Sequence, residues 1–467
     1  MLRAEKNAVR PATVPTGLWK IVAVAILGAF LALLNSTVVN VSLSSLAAEF
    51  DSTLGQIQWA TSAYLLAIAM VLPLTGWLVQ RLGIRRLYLA CFAAFMLTSL
   101  LCGLAWSASS LVVLRVLQGL SAGMLAPLAQ LTMARSAGEQ LARVSGYAAA
   151  TIVLAPLLGP LVASAVLTHA SWHWLFWMNV PITLIAILMA WRFLPAEATR
   201  GPQAPPLDWL GLALIAPGIA LALSGLERLD TPAGATMVAF ALALLVGFFW
   251  HSRRAESSLL DLTLFAQPVF RASAWTQFLL NGAIIATQVL IPLYFVHATG
   301  RPPADVGWML APLGVGMMGA FACMGWLTGR LGYRAVATGG ALLAAVGAGL
   351  FILAAAGSAH LAFLLLGLSL IGAGQGAVGI PSTTAAYTAV ERSQLPMATT
   401  ALNVVQRLGG PVMATVCAQL LAWRLAAEPQ GGDAYLQILW ILALLHAVCA
   451  ISTLRLPATQ QKKIGES

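Results

Sequence analysis

Charged side chains are scarce in this chain: they make up 9% of its 467 residues, against about a quarter in a soluble globular domain. That scarcity excludes an ordinary water-soluble fold, and with 60% hydrophobic residues it places the chain in a bilayer. Acidic side chains are fewer still, 15 Asp and Glu against 25 Lys and Arg, and all of them fall in loops or at the ends of apolar runs. Asp208 and Glu227 bracket one such run, and no carboxylate is expected at membrane depth. The 5 cysteines, Cys91, Cys102, Cys323, Cys417 and Cys449, sit singly in apolar stretches without CxxC spacing or ligand-spaced histidines, which argues against a disulfide framework or zinc site. No acid, nucleophile or metal-ligand cluster stands at membrane depth, so neither an enzyme nor a cofactor or metal is expected. The formal charge of +10 does not point to nucleic acid, because the basic residues come in ones to threes between apolar runs.

What is present is a series of apolar runs, each near the length of about 20 residues that a span needs. The start, with Arg3, Lys6, Arg10 and Lys20, is similar to the basic end of a signal peptide, but the run after it continues past a cleavable length and reads as a retained first span. The chain divides into 14 spans, at 18–42, 57–79, 87–106, 110–132, 144–167, 174–193, 209–226, 233–250, 273–295, 306–327, 335–356, 361–381, 398–423 and 436–454. An even number places both termini on one side. That side and its loops hold roughly 20 of the Lys and Arg, so both termini are expected in the cytoplasm.

The decapeptide Gly76-Trp-Leu-Val-Gln-Arg81-Leu-Gly83-Ile-Arg85 returns as Gly325-Trp-Leu-Thr-Gly-Arg330-Leu-Gly332-Tyr-Arg334 about 249 residues later, each copy closing an apolar run. Weaker echoes keep nearly the same offset. Gly119-Leu-Ser-Ala-Gly123 matches Gly372-Ala-Gly-Gln-Gly376 at about 253, Leu158-Gly159-Pro160 matches Gly409-Gly410-Pro411 at about 251, and Asn35 matches Asn281 at about 246. The chain therefore reads as one membrane unit twice, in a division 1–194, 195–272 and 273–467 whose middle part holds an inserted hairpin of spans 7 and 8. Duplicated bundles are the architecture of carriers, because two halves can rock about a site between them. The hairpin is entered through a linker at 195–206. It is left through 251–271, either a flexible tether or an interfacial segment whose Leu259, Leu260, Leu262, Leu264 and Phe265 lie on the membrane; the apolar content beside Arg253 and Arg254 favours the second.

These residues resemble the major facilitator superfamily over nearly the whole chain. The stretch 76–86 is similar to its GxLaDrxGrkxxl loop motif, and Leu114-Arg115-Val-Leu-Gln118-Gly119 to its fourth-span RxxQG motif. The 14 spans, Trp172-His-Trp-Leu-Phe-Trp-Met-Asn179-Val-Pro181 and Leu259-Leu-Asp261-Leu-Thr-Leu-Phe265 resemble its branch of fourteen-span drug:proton antiporters. That resemblance implies export of amphipathic compounds against proton entry. The branch's span-5 motif GxxxxxxxxGxxxGPxxGG reads here as Gly146, Ala155, Gly159-Pro160 and Ala163-Ser164. Small residues let a neighbouring helix approach and Pro160 removes a backbone hydrogen bond, which suits either an export-specific bend or plain packing. Two departures stand out: Asn35 occupies the place of the family's first-span Asp, and Gln80 that of the acidic residue in the loop motif. The family's usual proton carrier is absent.

Arg115, Arg407 and His446 are the ionisable side chains well inside spans, where a charge costs at least about 2.5–3.5 kcal/mol unless it meets protein or water. The resemblance ties Arg115 to the transport cavity and proton coupling; the alternative is a guanidinium that holds helices through backbone carbonyls. Arg407 either binds substrate or anchors its helix. His446, in a span that is peripheral in the family, reads as a packed neutral imidazole and not a proton carrier. His169 and His173 are spaced for contact on a helix, but beside Trp172 and Trp174 they read as interfacial and not metal-binding. Asn35, Thr37, Asn40, Gln118, Gln130, Asn281, Gln288, Gln375, Asn403 and Gln406 complete the expected cavity lining, since buried amides must be paired or wet. Gly76, Gln80, Arg81, Gly83, Arg85, Arg86, Gly325, Arg330, Gly332 and Arg334 are expected to lock the helix ends and release them as the halves rock.

The expectation is thus an all-α plasma-membrane carrier acting as a monomer on a small molecule, its other partners the lipid bilayer and, as an open question, protons. Arginines without a carboxylate would favour neutral, zwitterionic or anionic amphiphiles over cations. A facilitator or importer of a metabolite is the rival reading. A membrane sensor or enzyme on the same scaffold is remote, since the tails are too short for an output domain.

Overall fold

The computed structural model describes residues 14–196, 206–255, 258–357, 361–427 and 432–458. The basic start before residue 14, the centre of the 195–206 linker, His360 and the C-terminal end lie outside them. Among the described residues no strand forms, and 13 helices are long and apolar enough to cross a membrane. One of these, Pro303–Ala356, has 54 residues, about 80 Å at 1.5 Å per residue and more than twice what a hydrocarbon core of about 30 Å requires. Gly332 interrupts it with φ 78 and ψ 170, so it contains two spans and the expected 14 are reached.

In chain order, span 1 is Thr16–Val41, span 2 Leu54–Val71 with its continuation Leu74–Leu82, and span 3 Ile84–Cys102. Span 4 is Ala108–Ser136, span 5 Gly138–His169, span 6 Trp174–Phe193, span 7 Trp209–Leu226 and span 8 Pro232–Ser252. Span 9 is Pro268–Ala298, spans 10 and 11 are the two parts of Pro303–Ala356, span 12 is Leu361–Thr388, span 13 Leu395–Ala427 and span 14 Gly432–Thr453.

Local chemistry sets these boundaries. Thr53 with Gln56, and Ser107 with Ser110, form reciprocal caps that start spans 2 and 4. Asp208 accepts the Gly211 N–H at 2.7 Å to start span 7, and Thr231 accepts the Gly234 N–H at 3.0 Å to start span 8 with Pro232 in its first turn. Prolines break the ladders: Pro127 has no N–H for the Gly123 carbonyl, and Pro156 none for that of Ile152, and the helices interrupt there. At the repeated turn Gly83 has φ 79 and ψ 161, the counterpart of Gly332. Glycine reaches this region readily and other residues do not, so the two copies of the decapeptide keep the residue that their common turn requires.

Lipid tails are as apolar as leucine, so helix association rests on close backbone approach. Span 4 closes on span 2 where Gly119 meets Tyr64 and Ala67 and Gly123 meets Ile68; span 12 closes on span 10 where Gly372 meets Leu313 and Gly376 meets Met317. Gly159 receives Thr37 of span 1, and Gly409 receives Phe278 of span 9. The sequence echoes are the same contacts made twice.

The end of the bundle that carries the two decapeptide turns is closed. Gly76 abuts Pro396, Met397 and Thr400, so span 2 meets span 13; Gly325 abuts Arg143 and Gly146 abuts Phe321 and Met324, so span 10 meets span 5. One apolar cluster at this end runs from Leu87 and Leu128 through Leu264 and Phe270 to Leu395 and Leu402.

The inserted hairpin lies over the seam between the two sets of six spans. Span 7 packs along spans 2 and 13, and Thr415 Oγ1 donates to the Leu226 carbonyl at 3.0 Å. His251 Nε2 and Asp208 Oδ1, 2.7 Å apart, join the hairpin's two helices. The stretch 251–271 corrects the expectation of a segment lying on the membrane. Leu259, Leu260 and Leu264 are buried, the last two in the cluster just described, Ser252 Oγ donates to the Leu260 carbonyl at 3.1 Å, and Asp261 caps a short turn at Leu262–Ala266. Burial inside the protein gives those leucines dense packing as well as removal from water.

Candidate functional site

Among the first six spans, polar side chains gather around Arg115, which is fully buried. Its Nε donates to the Ala60 carbonyl at 3.0 Å, its Nη1 donates to Gln118 Oε1 at 2.7 Å and to Asn35 Oδ1, and the guanidinium lies 3.8 Å from the centre of the Tyr64 ring. Gln118 Nε2 donates onward to Ser99 Oγ at 2.7 Å, and Tyr64 OH donates to the Ala32 carbonyl at 2.8 Å. Spans 1, 2, 3 and 4 are thereby joined through one guanidinium. Charge-assisted bonds of this kind are roughly twice as strong as neutral ones. The sequence brings Asn35, Arg115 and Gln118 together, but the structure places them in this enclosed network and not on the wall of either cavity described next.

The larger cavity, of about 780 Å³, is walled by spans 2, 7, 8, 9 and 13. Trp59, Leu65, Leu66, Leu221, Leu223 and Ile285 supply its apolar surface; Ser62, Ser224, Asn281, Asn403, Gln406, Arg407, Glu227 and Arg228 supply its polar groups. Arg407 is exposed to this cavity and has no hydrogen-bond partner among the described residues. Arg228 stands 5.8 Å over the Trp59 ring. The carboxyl of Glu227, in the turn after span 7, has its pKa raised by partial removal from water and pulled back by Arg228 beside it. This carboxylate on the wall corrects the expectation that the site lacks one: the sequence shows Glu227 at a span end, but not that the hairpin folds that end over the cavity.

A smaller cavity of about 250 Å³ lies between spans 4 and 5 on one side and spans 9, 10, 12 and 13 on the other, lined by Gln130, Asn281, Gln375, Tyr387 and Gln406 among others. Amide chemistry dominates it. Gln277 Nε2 lies 2.7 Å from Gly379 O, Ser382 Oγ and Thr383 Oγ1 and shares its two hydrogens among these three acceptors, while its Oε1 accepts from Gln406 Nε2 at 2.8 Å. Gln130 Oε1 accepts from Tyr387 OH at 2.6 Å and from Asn403 Nδ2 at 2.9 Å, a polar bridge from span 4 to spans 12 and 13. Gln375 Nε2 contacts Thr287 Oγ1 at 3.1 Å and His446 Nε2 at 3.2 Å. Because the Leu442 carbonyl 2.7 Å from His446 Nδ1 can only accept, the proton sits on Nδ1 and Nε2 takes the Gln375 bond, as a neutral imidazole does.

The remaining expected residues are dispersed. Thr37 bonds back to Leu33 and Leu34 carbonyls of its own helix, and Asn40 and Gln288 are exposed away from both cavity walls. Gly76, Gly325 and Gly146 form the closed end, whereas Ala155, Gly159 and Ala163 are buried along the side of span 5 and Pro160 is exposed. Arg81 and Arg330 stack over Trp77 and Trp326 of their own helices at 5.3 and 4.7 Å. Arg334 Nε donates to the Leu456 carbonyl at 2.6 Å, Arg85 is half-buried, and Gln80 borders a third cavity at the closed end, of about 720 Å³, beside Asp208 and Ser252. His173 stacks on Trp172 with ring centres 4.0 Å apart. Sequence reasoning missed Trp59, Gln277, Glu227 and Arg228; a further amide in span 9 was the one available signal, for Gln277.

Residues 25–414 match the family model described as the Major Facilitator Superfamily. The chain belongs to this superfamily. It is a multi-pass membrane transporter and not an enzyme. It is 31% identical over 425 residues, 89% of this chain and 78% of the other, to the multidrug resistance protein B homolog of Mycobacterium tuberculosis (strain ATCC 25618 / H37Rv). It is also 31% identical to MdtD of Pectobacterium atrosepticum, whose name likewise refers to multidrug resistance, over 74% of each chain. Among solved structures, the human organic anion transporter MFSD10 superposes with a TM-score of 0.65 at 17% identity, covering 94% of this transporter and 100% of that chain. The proton:xylose symporter XylE superposes with a TM-score of 0.64 at 15% identity, covering 93% and 94%. At those identities the likeness concerns the fold.

Proposed function

We propose that this transporter exports small amphipathic molecules, with neutral, zwitterionic or anionic headgroups preferred, by alternating access between two six-span bundles, 1–194 and 273–467. Arg407 carries the reading. An arginine inside a span that faces an open cavity without a partner pays its membrane cost only if water or a ligand meets it, and the surrounding wall offers aromatic and aliphatic surface for a tail. The relatives named for multidrug resistance support efflux as the direction. The decapeptide turns are then the cytoplasmic gate, closed in this structure, and the 780 Å³ cavity belongs to the state that faces away from the cytoplasm. Spans 2 and 13, and spans 5 and 10, would part at that gate when the cavity changes sides.

The reading is tested by uptake into everted membrane vesicles across a panel of anionic, neutral and cationic amphiphiles. Accumulation of anionic or neutral members by the wild type, lost in Arg407→Gln at equal protein level, is the expected result. Accumulation of cations alone, or full activity in Arg407→Gln, would overturn it. Cysteines introduced as Gln80→Cys and Gly329→Cys, in a background lacking the native five, should resist impermeant thiol reagents in intact cells. Labelling from outside would reverse the orientation.

A further inference from the structure

We propose that the inserted hairpin supplies the charge switch of the large cavity: the Glu227 carboxyl, when protonated, frees Arg228 beside it to join Arg407 in holding an amphipathic organic anion, and when ionised competes with that anion for Arg228. The inference rests on that cavity being the substrate site. Glu227 is the one carboxylate on its wall among the described residues, and it shares the wall with two guanidinium groups, Arg228 next to it and Arg407 on span 13. The other elements present no further charge: span 2 contributes Trp59 and Ser62, span 8 Met237 and span 9 Asn281, while Tyr64 points to the Ala32 carbonyl and Asp230, in the adjoining turn, is outside the lining. An ionised Glu227 attracts the Arg228 guanidinium that a bound sulfonate or carboxylate would also use, and repels that anion. Where Glu227 is ionised in the free protein, anion binding draws part of a proton from water onto its carboxyl, and release of the anion returns it; where the carboxyl is already neutral no proton moves. Partial removal of that carboxyl from water already favours its neutral form.

The sign follows from linkage. The protonated site binds the anion more tightly, so affinity is highest below the Glu227 pKa and falls as pH rises through it. The test is calorimetric titration of the purified full-length protein with naphthalene-2-sulfonate, a permanent anion, between about pH 5 and about pH 8, with naphthalene-2-methanol as the neutral probe. Wild-type affinity for the sulfonate should be about tenfold weaker at the alkaline end, while the neutral probe shows no such slope. Glu227→Gln, close in shape and uncharged, should bind the sulfonate at all pH values with the affinity that the wild type has in acid. A wild-type affinity independent of pH, or an unchanged slope in Glu227→Gln, overturns the switch even where Arg407→Gln abolishes binding and the cavity keeps its role. Sulfonate binding that is indifferent to Arg407→Gln overturns the cavity itself.

Discussion

The first six spans and the last six each hold an arginine at membrane depth, and the two are kept there in opposite ways. Arg115 is enclosed by the Ala60 carbonyl, Asn35, Gln118 and the Tyr64 ring, with its charge spent inside the protein. Arg407 faces an open cavity and has no hydrogen-bond partner among the described residues. The cost of placing a guanidinium in a membrane applies to both, but enclosure answers it with a structural knot and exposure answers it with a binding surface. The comparison teaches that two bundles can share their packing and still put a buried charge to different use: Gly119 and Gly372, or Gly159 and Gly409, make matching contacts, whereas the arginines do not correspond.

The largest expected effect is on the enclosed side. Arg115→Ala removes the donor to Ala60, Asn35 and Gln118 and leaves buried oxygens unpaired, which should cost on the order of 3 kcal/mol or more. A thermal unfolding midpoint in detergent that falls well below that of the wild type is expected. An unchanged midpoint would dissolve the contrast between the two arginines. Arg115→Lys, which keeps the charge but cannot reach several acceptors in fixed geometry, should fall between the two.

Next is the closed end. Gly76→Leu introduces a side chain where even a Cβ would lie 3.0 Å from Pro396, Met397 and Thr400, so it should hold spans 2 and 13 apart and stop transport while the protein remains in the membrane. Disulfide cross-linking between cysteines placed at positions 80 and 394, both beside the 720 Å³ cavity, should drop severalfold in this variant. Undiminished cross-linking would mean that the turn adapts locally and the halves stay together.

A smaller effect is expected where the two sets of spans are joined by amides. Gln130→Ala leaves Tyr387 and Asn403 without their shared acceptor across the seam, a loss of about 1–2 kcal/mol from the closed state. Faster opening of that end, read from hydrogen exchange at the start of span 13, is the expected outcome. The smallest change belongs to the hairpin: Asp208→Asn weakens the contact with His251 but keeps an N-cap, so a loss of only about 1 kcal/mol or less is expected.

Much of this fold was legible because hydropathy, the repeated decapeptide and its glycines are properties of sequence order. The 14 spans and the turns at Gly83 and Gly332 follow from run length and from backbone conformation that glycine alone adopts easily. The site was less legible, because facing is a property of three-dimensional packing. Asn35, Arg115 and Gln118 were recognisable as polar residues inside spans, yet only the packing of spans 1 to 4 shows that Arg115 Nη1 is bonded to both amide oxygens in one enclosed network. Glu227 looked like an ordinary span-end carboxylate, and the leucines of 251–271 like a membrane-surface segment, because the position of an inserted hairpin leaves no period in the sequence.

The most direct test of the contrast is ligand-induced thermal stabilisation of purified wild type, Arg407→Gln and Arg115→Lys across anionic, neutral and cationic amphiphiles, since a ligand that binds the folded protein raises its apparent stability. The account predicts that anionic amphiphiles raise the wild-type midpoint, that Arg407→Gln keeps the wild-type baseline but loses this response, and that Arg115→Lys starts from a lower baseline and keeps it. A response to anions that survives in Arg407→Gln and vanishes in Arg115→Lys would contradict it.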